Sequence, residues 1–325
     1  METKKYVSRI TWFPKRLLLS LGLVSFFILL STSSMAQCAC CAGAGMGASG
    51  DPSMIFSTPM KRQFIVDAAL DYRSVQEGLM SHAMVMSETT LQSMFISSLA
   101  LRYGISDRFA VSVQQPYLFI KTALGNDRGL GDMQLNGQWR LFSQARLNVV
   151  LNGGIELPVG IQKAASFEQS TSVIGSGSFD PVLGISFGWK HDRLAFSGAG
   201  VFKKTTNGFQ HNNYGSSSLQ SLGISYQAFG EPSSCNTDSL KEKEKAKPSV
   251  VLHIAYLGEW LDKLVEDDTK DDDSGYYVGY IAGGVSTSFG KWSLPMNVGY
   301  PVLCNMNGMQ NNPGIRFRIG LTRAF

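Results

Sequence analysis

The sequence predicts an all-β chain, a transmembrane antiparallel β-barrel of about twelve strands preceded by a cleaved signal peptide, and three observations predict it. The closing segment sets Ile315, Phe317, Ile319 and Leu321 against Arg316, Arg318, Gly320 and Thr322 and ends on Phe325. A strand with lipid on one side and a watery lumen on the other changes polarity at every residue. The same period of two recurs along the chain, and the N-terminus carries the marks of export.

Export comes first in chain order. Lys4, Lys5, Arg9, Lys15 and Arg16 precede an apolar run from Leu17 to Leu30, and small residues follow to Ser34-Met35-Ala36. This is a secretory signal with its cut after Ala36. The apolar run is too short for a helical span, and no later stretch reaches the roughly 18 uninterrupted apolar residues that a helical membrane protein requires. Residues 37–62, rich in Cys, Gly, Ala and Met, form a periplasmic segment that is a candidate plug, and 63–325 form the barrel.

Period two is clearest where Met133, Leu135, Gly137, Trp139 and Leu141 oppose Gln134, Asn136, Gln138 and Arg140. It repeats where Leu147, Val149, Leu151, Gly153, Ile155 and Leu157 oppose Asn148, Asn152 and Glu156. Similar patterns run over 64–73, 94–103, 108–117, 180–190, 193–204, 217–228, 249–258, 276–288, 291–300 and 314–325. The connections alternate between tight turns, such as Gly104–Asp107, Ser143–Ala145, Lys190–Asp192 and Phe289–Lys291, and long stretches at 74–93, 118–130, 158–179, 205–216, 259–275 and 301–313. Short periplasmic turns alternating with long outer loops are the rhythm of such barrels, and both termini then fall in the periplasm. The charged stretch 229–248 interrupts that rhythm. Trp139, Trp189, Trp292, Tyr117, Tyr226 and Tyr300 sit toward strand ends, where amphipathic rings meet the membrane interfaces.

Charge narrows the function. The whole chain carries +4, and residues 1–36 account for five bases and one acid, so the remainder is close to neutral. Nucleic acid is excluded as a partner on electrostatic grounds. Outer-membrane lipid and lipopolysaccharide, the barrel-assembly machinery reading Phe325 as an insertion signal, and a small-molecule solute are the expected partners. The expected location is the cell outer membrane.

The succession Gly129-Leu130-Gly131-Asp132, then Glu156-Leu157-Pro158-Val159-Gly160, then Gly175-Ser176-Gly177-Ser178-Phe179-Asp180-Pro181 resembles a family of outer-membrane β-barrel transporters, the phenol meta-pathway degradation-like proteins. The resemblance covers 94–228 well and the last strands loosely. It implies a small barrel linked with uptake of hydrophobic or aromatic compounds. The residues also have structural roles of their own: glycines open the turns, Asp132 bonds backbone amides, and Pro158 ends a strand without wasting a donor.

The pore-lining set expected from strand parity is Arg102, Gln114, Gln134, Asn136, Gln138, Arg140, Asn148, Asn152, Glu156, His253, Arg316 and Arg318. Its mild cationic bias favours anionic or neutral solutes. The function expected is a channel for passive uptake or export of small solutes, the alternatives being a non-conducting binding or structural barrel and a copper-handling one. Cys38, Cys40 and Cys41 form a candidate soft-metal site, since thiolates select Cu(I) and Zn(II). Met80, His82, Met84, Met86, Met306 and Met309 are the residues a copper reading would add. No cofactor is expected. No Gly-x-Ser-x-Gly elbow accompanies the four histidines, so an enzyme is not expected. Cys235 and Cys304 lie at opposite ends of the expected barrel and are not expected to pair.

Overall fold

The computed structural model describes residues 58–76, 91–122, 126–144, 146–160, 174–208, 212–230, 248–266, 268–308 and 310–325. The elements are β1 (Phe64–Gln76), β2 (Leu91–Gly104), β3 (Phe109–Thr122), β4 (Asn126–Leu130), β5 (Met133–Ser143), β6 (Leu147–Leu157), β7 (Asp180–His191) and β8 (Leu194–Lys203). They continue with β9 (Ser217–Phe229), β10 (Ser249–Leu261), β11 (Val265–Glu266), β12 (Thr269–Lys270), β13 (Tyr276–Phe289), β14 (Trp292–Met306) and β15 (Asn312–Ala324). Thirteen of these form one antiparallel sheet in the order β2-β1-β15-β14-β13-β10-β9-β8-β7-β6-β5-β3-β4, and β2 also pairs with β3. That last pairing closes the ring. Because β4 is the continuation of β5 along β3, the closed barrel has twelve strands. A closed ring leaves no unpaired edge, which is what a hydrocarbon surrounding demands.

Every segment expected from period two is a strand. Two of the long connections are shorter than expected, because β3 runs on to Thr122 and returns through β4, and β14 runs on to Met306. Period two is no longer imposed there, as Leu118-Phe119-Ile120 illustrates.

Burial is inverted relative to a water-soluble domain. Leu183 is 65% exposed, Leu222 61% and Trp139 52%, whereas Asp67, Arg102 and Arg318 are at 0%, 4% and 3%. The large apolar side chains face outward and the polar ones inward, the reverse of the usual distribution. The β7–β8 and β13–β14 turns are two residues long, with Asp192 and Gly290 taking the left-handed backbone they need (φ 51° and 57°). The tight turns define one end of the barrel, the turn end, and the long connections define the loop end.

At the loop end, three sequence motifs separated by tens of residues meet on one carboxylate. Asp132 Oδ1 accepts from the Gly160 amide at 3.0 Å, and Oδ2 accepts from the Ser176 amide and the Ser176 hydroxyl, each at 2.6 Å. Ser178 donates in turn to Ser176 Oγ at 2.8 Å. The approach needs glycines: a Cβ on Gly160 would lie 2.7 Å from Asp132 Oδ1 and 2.8 Å from the Cα of Gly175. Asp132 therefore ties both ends of the 158–179 connection to the start of β5. Asp132→Ala should cost about 2–4 kcal/mol, since three bonds to a charged acceptor are lost. The expected result is a barrel that still migrates as a folded species on an unheated gel but is cleaved faster by added protease within 158–179.

Candidate functional site: a charged seam across the lumen

Strand parity puts Ile65, Asp67, Ala69, Asp71 and Arg73 of β1 on the inner face, beside Arg102 of β2 and Arg316, Arg318 and Thr322 of β15. Toward the turn end, Asp67 is gripped by Arg102, whose Nε and Nη2 donate at 2.6 and 3.0 Å, and by the Thr322 hydroxyl at 2.6 Å. Toward the loop end, Asp71 receives Arg316 Nε on both oxygens at 3.1 Å and Nη2 at 2.5 Å, with Arg318 Nη1 at 3.6 Å and Arg73 Nε at 3.7 Å. Planar guanidinium against carboxylate is the strongest form of this pairing.

The network then crosses the lumen. Arg73 Nη1 lies 3.3 Å from Glu259 Oε1 on β10, and β15, β14 and β13 intervene between β1 and β10 along the sheet. Arg316 Nη1 is 3.9 Å from Glu259 Oε2, and the Tyr276 hydroxyl donates to Glu259 Oε1 at 3.0 Å. Three guanidiniums thus share two carboxylates, leaving a residual positive charge at the loop end of this wall.

The opposite wall has the other sign. Glu156 on β6 accepts from Gln134 at 2.6 Å and from Lys203 at 2.9 Å. Asp180, fully buried at the start of β7, accepts from the Thr206 amide at 2.9 Å and lies 4.0 Å from Lys203 Nζ. Two carboxylates share one ammonium there.

Of the residues expected inside, Arg102, Gln114, Gln134, Gln138, Arg140, Asn148, Asn152, Glu156, Arg316 and Arg318 are buried on the inner face, and Asn136 and His253 are half-buried on it. Gln134 meets Glu156, Arg316 and Arg318 meet on Asp71, and His253 Nε2 hydrogen-bonds Asn297 Oδ1 across from β10 to β14. Arg140 does something else. Its Nη1 donates to the Asp107 carbonyl at 3.1 Å and its Nη2 to the Thr58 carbonyl at 2.9 Å, so it holds the chain just before β1. Thr58 and Pro59 are buried, and a Cβ on Gly104 would collide with the Met60 carbonyl, so the segment crosses the turn end closely packed.

Asp67, Asp71, Arg73, Asp180, Lys203 and Glu259 were not in the expected set, although their parity within β1, β7, β8 and β10 was a usable signal. Cys38, Cys40, Cys41, Cys235, Met80, His82, Met84, Met86 and Met309 lie outside the described residues. Cys304 is exposed near the loop end of β14, where Met306 also lies, and has no disulfide partner among the described residues. Among the described residues no group of three His, Cys, Asp or Glu is placed to hold a metal. Phe325 is anchored: its amide donates to the Phe64 carbonyl at 2.8 Å, and the Arg323 guanidinium lies 4.5 Å from its ring and 4.8 Å from that of Trp292.

No protein-family model matches the sequence, and no curated protein matches it. Solved structures do. The crystal structure of an outer membrane channel from Pseudomonas putida F1 superposes with a TM-score of 0.61 at 17% identity, covering 85% of this chain and 99% of that one. The fold is that of an outer-membrane β-barrel. The NanC porin (TM-score 0.44, 9% identity, 79% of this chain and 98% of that one) and the CymD monoaromatic hydrocarbon channel (0.42, 9%, 87% and 94%) are more distant. The likeness that stands is therefore one of outer-membrane barrel fold, and the narrower phenol meta-pathway-like family has no matching family model behind it.

The seam yields a stability prediction. Asp71→Ala leaves Arg73 and Arg316 with only Glu259 and takes the Asp71 contact from Arg318, and removing one partner of a buried pair costs about 3–5 kcal/mol. Urea unfolding of the detergent-solubilised barrel should show that loss, and the double change Asp71→Leu with Arg316→Met should recover part of it.

Proposed function

We propose that the chain is an outer-membrane β-barrel that lets small solutes cross passively, with the turn end and both termini in the periplasm once residues 1–36 have been removed. The observation that carries this reading is the inner wall. Ser221 Oγ, Ser225 Oγ, Ser286 Oγ, Gln138 Oε1, Asn148 Oδ1 and Asn152 Nδ2 are buried and have no hydrogen-bond partner in the protein. Buried polar groups seldom stay unsatisfied, so these belong to a lumen that water and polar parts of a solute enter. A barrel closed only for structure would gain by filling those positions with apolar side chains.

The lumen is graded rather than open. The β1–β15 side is filled by paired arginines and acids, while β7, β8 and β9 present Ser186, Ala195, Ser197, Ala199, Ser221 and Ser225, which are small. The path runs along the small-residue side. Small aromatic or hydrophobic compounds with a polar or anionic group fit it best, because the arginine wall offers a net positive charge and the serine wall offers hydroxyls.

Residues 37–62 narrow the path from the periplasmic end in this reading, supported by the buried Thr58–Pro59 step and its bond to Arg140. Planar-bilayer recording tests both parts. Residues 37–325 should give discrete channels, a version lacking 37–62 should conduct more, and Arg140→Ala should raise conductance to an intermediate level. Silence from all three, with folded barrels confirmed by heat-modifiable migration, would exclude conduction and leave a binding or structural barrel.

A further inference from the structure

One pattern at the turn end is unrelated to the lumen. Each tight turn described in full or nearly so places a base immediately before the next strand: Arg108 before Phe109, Arg146 before Leu147, Arg193 before Leu194 and Lys291 before Trp292. In every case the carbonyl of the base accepts from the strand beyond. Arg140, Lys190 and Gln227 donate to Arg108, Arg146 and Arg193 at 2.8 Å, and Ala324 donates to Lys291 at 3.0 Å. The backbone of each base is thereby fixed in the ladder. The side chains are exposed, Arg193 also donating through Nη1 to the Gln227 carbonyl at 3.0 Å, and the residue that follows each is a large apolar group 37–44% exposed on the outward face.

Those apolar groups mark the edge of the hydrocarbon band, so the bases stand one residue beyond it, at the depth of lipid headgroups. Long basic side chains reach headgroup oxygens from such positions, and a guanidinium fits a phosphate with two parallel hydrogen bonds. The only acids in these turns, among the described residues, are Asp107 and Asp192, and Asp192 turns to His191 Nδ1 at 3.4 Å. The loop end is mixed in sign, with Asp262, Asp268, Asp271, Asp272 and Asp273 exposed there beside Lys121, Arg128, Lys204 and Lys270.

We propose that the turn-end rim is a binding ring for anionic glycerophospholipid headgroups, its four bases holding the phosphates of successive lipids around the barrel. The proposal rests on the reading that the outward face meets a bilayer, and the test separates the two. The purified full chain is reconstituted in phosphatidylcholine vesicles with and without phosphatidylglycerol, and heat unfolding is followed by gel migration. Flotation with pure phosphatidylcholine vesicles checks the bilayer reading by itself; a chain that does not float overturns both readings.

Phosphatidylglycerol should raise the unfolding midpoint of the wild-type chain by roughly 3 °C or more, and high salt should remove the gain. The variant R108Q/R146Q/R193Q/K291Q should lose the gain, and R128Q/K270Q, which removes exposed bases at the loop end, should keep it. Should the fourfold variant fail to fold, each single variant is compared with wild type by native mass spectrometry, which should show fewer bound phosphatidylglycerol molecules. A gain that persists in the fourfold variant, equal lipid retention by the single variants, or a gain with lipopolysaccharide but none with phosphatidylglycerol overturns the proposal.

Discussion

Closure of the barrel depends on the meeting of its first and last strands, and two buried carboxylates hold that meeting. Asp67 and Asp71 project from β1 into the lumen, where Arg102 of β2 and Arg316, Arg318 and Thr322 of β15 converge on them. Main-chain ladders alone do not distinguish one register from another two residues away, because period two survives such a slip. A carboxylate that must meet a particular arginine does distinguish them. The register Asp67↔Thr322 and Asp71↔Arg318 is the one that leaves no acid unpaired on the inner face of β1.

The same pairing decides what the lumen can be. Charges placed in pairs across neighbouring strands fill the β15–β1–β2 side, and Arg73 reaching Glu259 carries that filling partway across. On β7–β9 the sequence supplies Gly, Ala and Ser at inner positions. A twelve-stranded ring falls between small barrels whose side chains fill the interior and large ones with an aqueous channel. Here the two walls differ: one is packed with paired charges, and on the other Ser221 and Ser225 carry hydroxyls that have no protein partner.

Much of this was legible in the sequence because the bilayer imposes period two on every spanning segment, and period two survives whatever the partner strand is. That is why Arg102, Gln134, Asn152 and Arg316 could be placed inside from parity alone. Pairing could not be read so easily. Asp71 and Arg316 are 245 residues apart, and their contact exists only because the first and last strands adjoin. The Asp132 clamp was hidden for the same reason: the three motifs were visible as motifs, but their convergence on one carboxylate depends on how the 158–179 connection returns to the barrel. The loop-end extensions of β3 and β14 were missed because alternation lapses there.

The two interactions at opposite ends of the strength scale also differ in what they allow. The seam is ionic, multidentate and buried, so breaking it means leaving charges unpaired in a poorly solvated interior. Arg140 holds the segment before β1 through the neutral carbonyl of Thr58 and bonds the Asp107 carbonyl as well, while the Arg62 amide donates to the Gly104 carbonyl at 2.7 Å. A hydrogen bond to a charged donor contributes about 1.5–3 kcal/mol, well below the cost of dismantling the seam. Rigidity is thus invested in the strands that close the ring, and the contacts of Thr58 with Arg140 are neutral ones beside them.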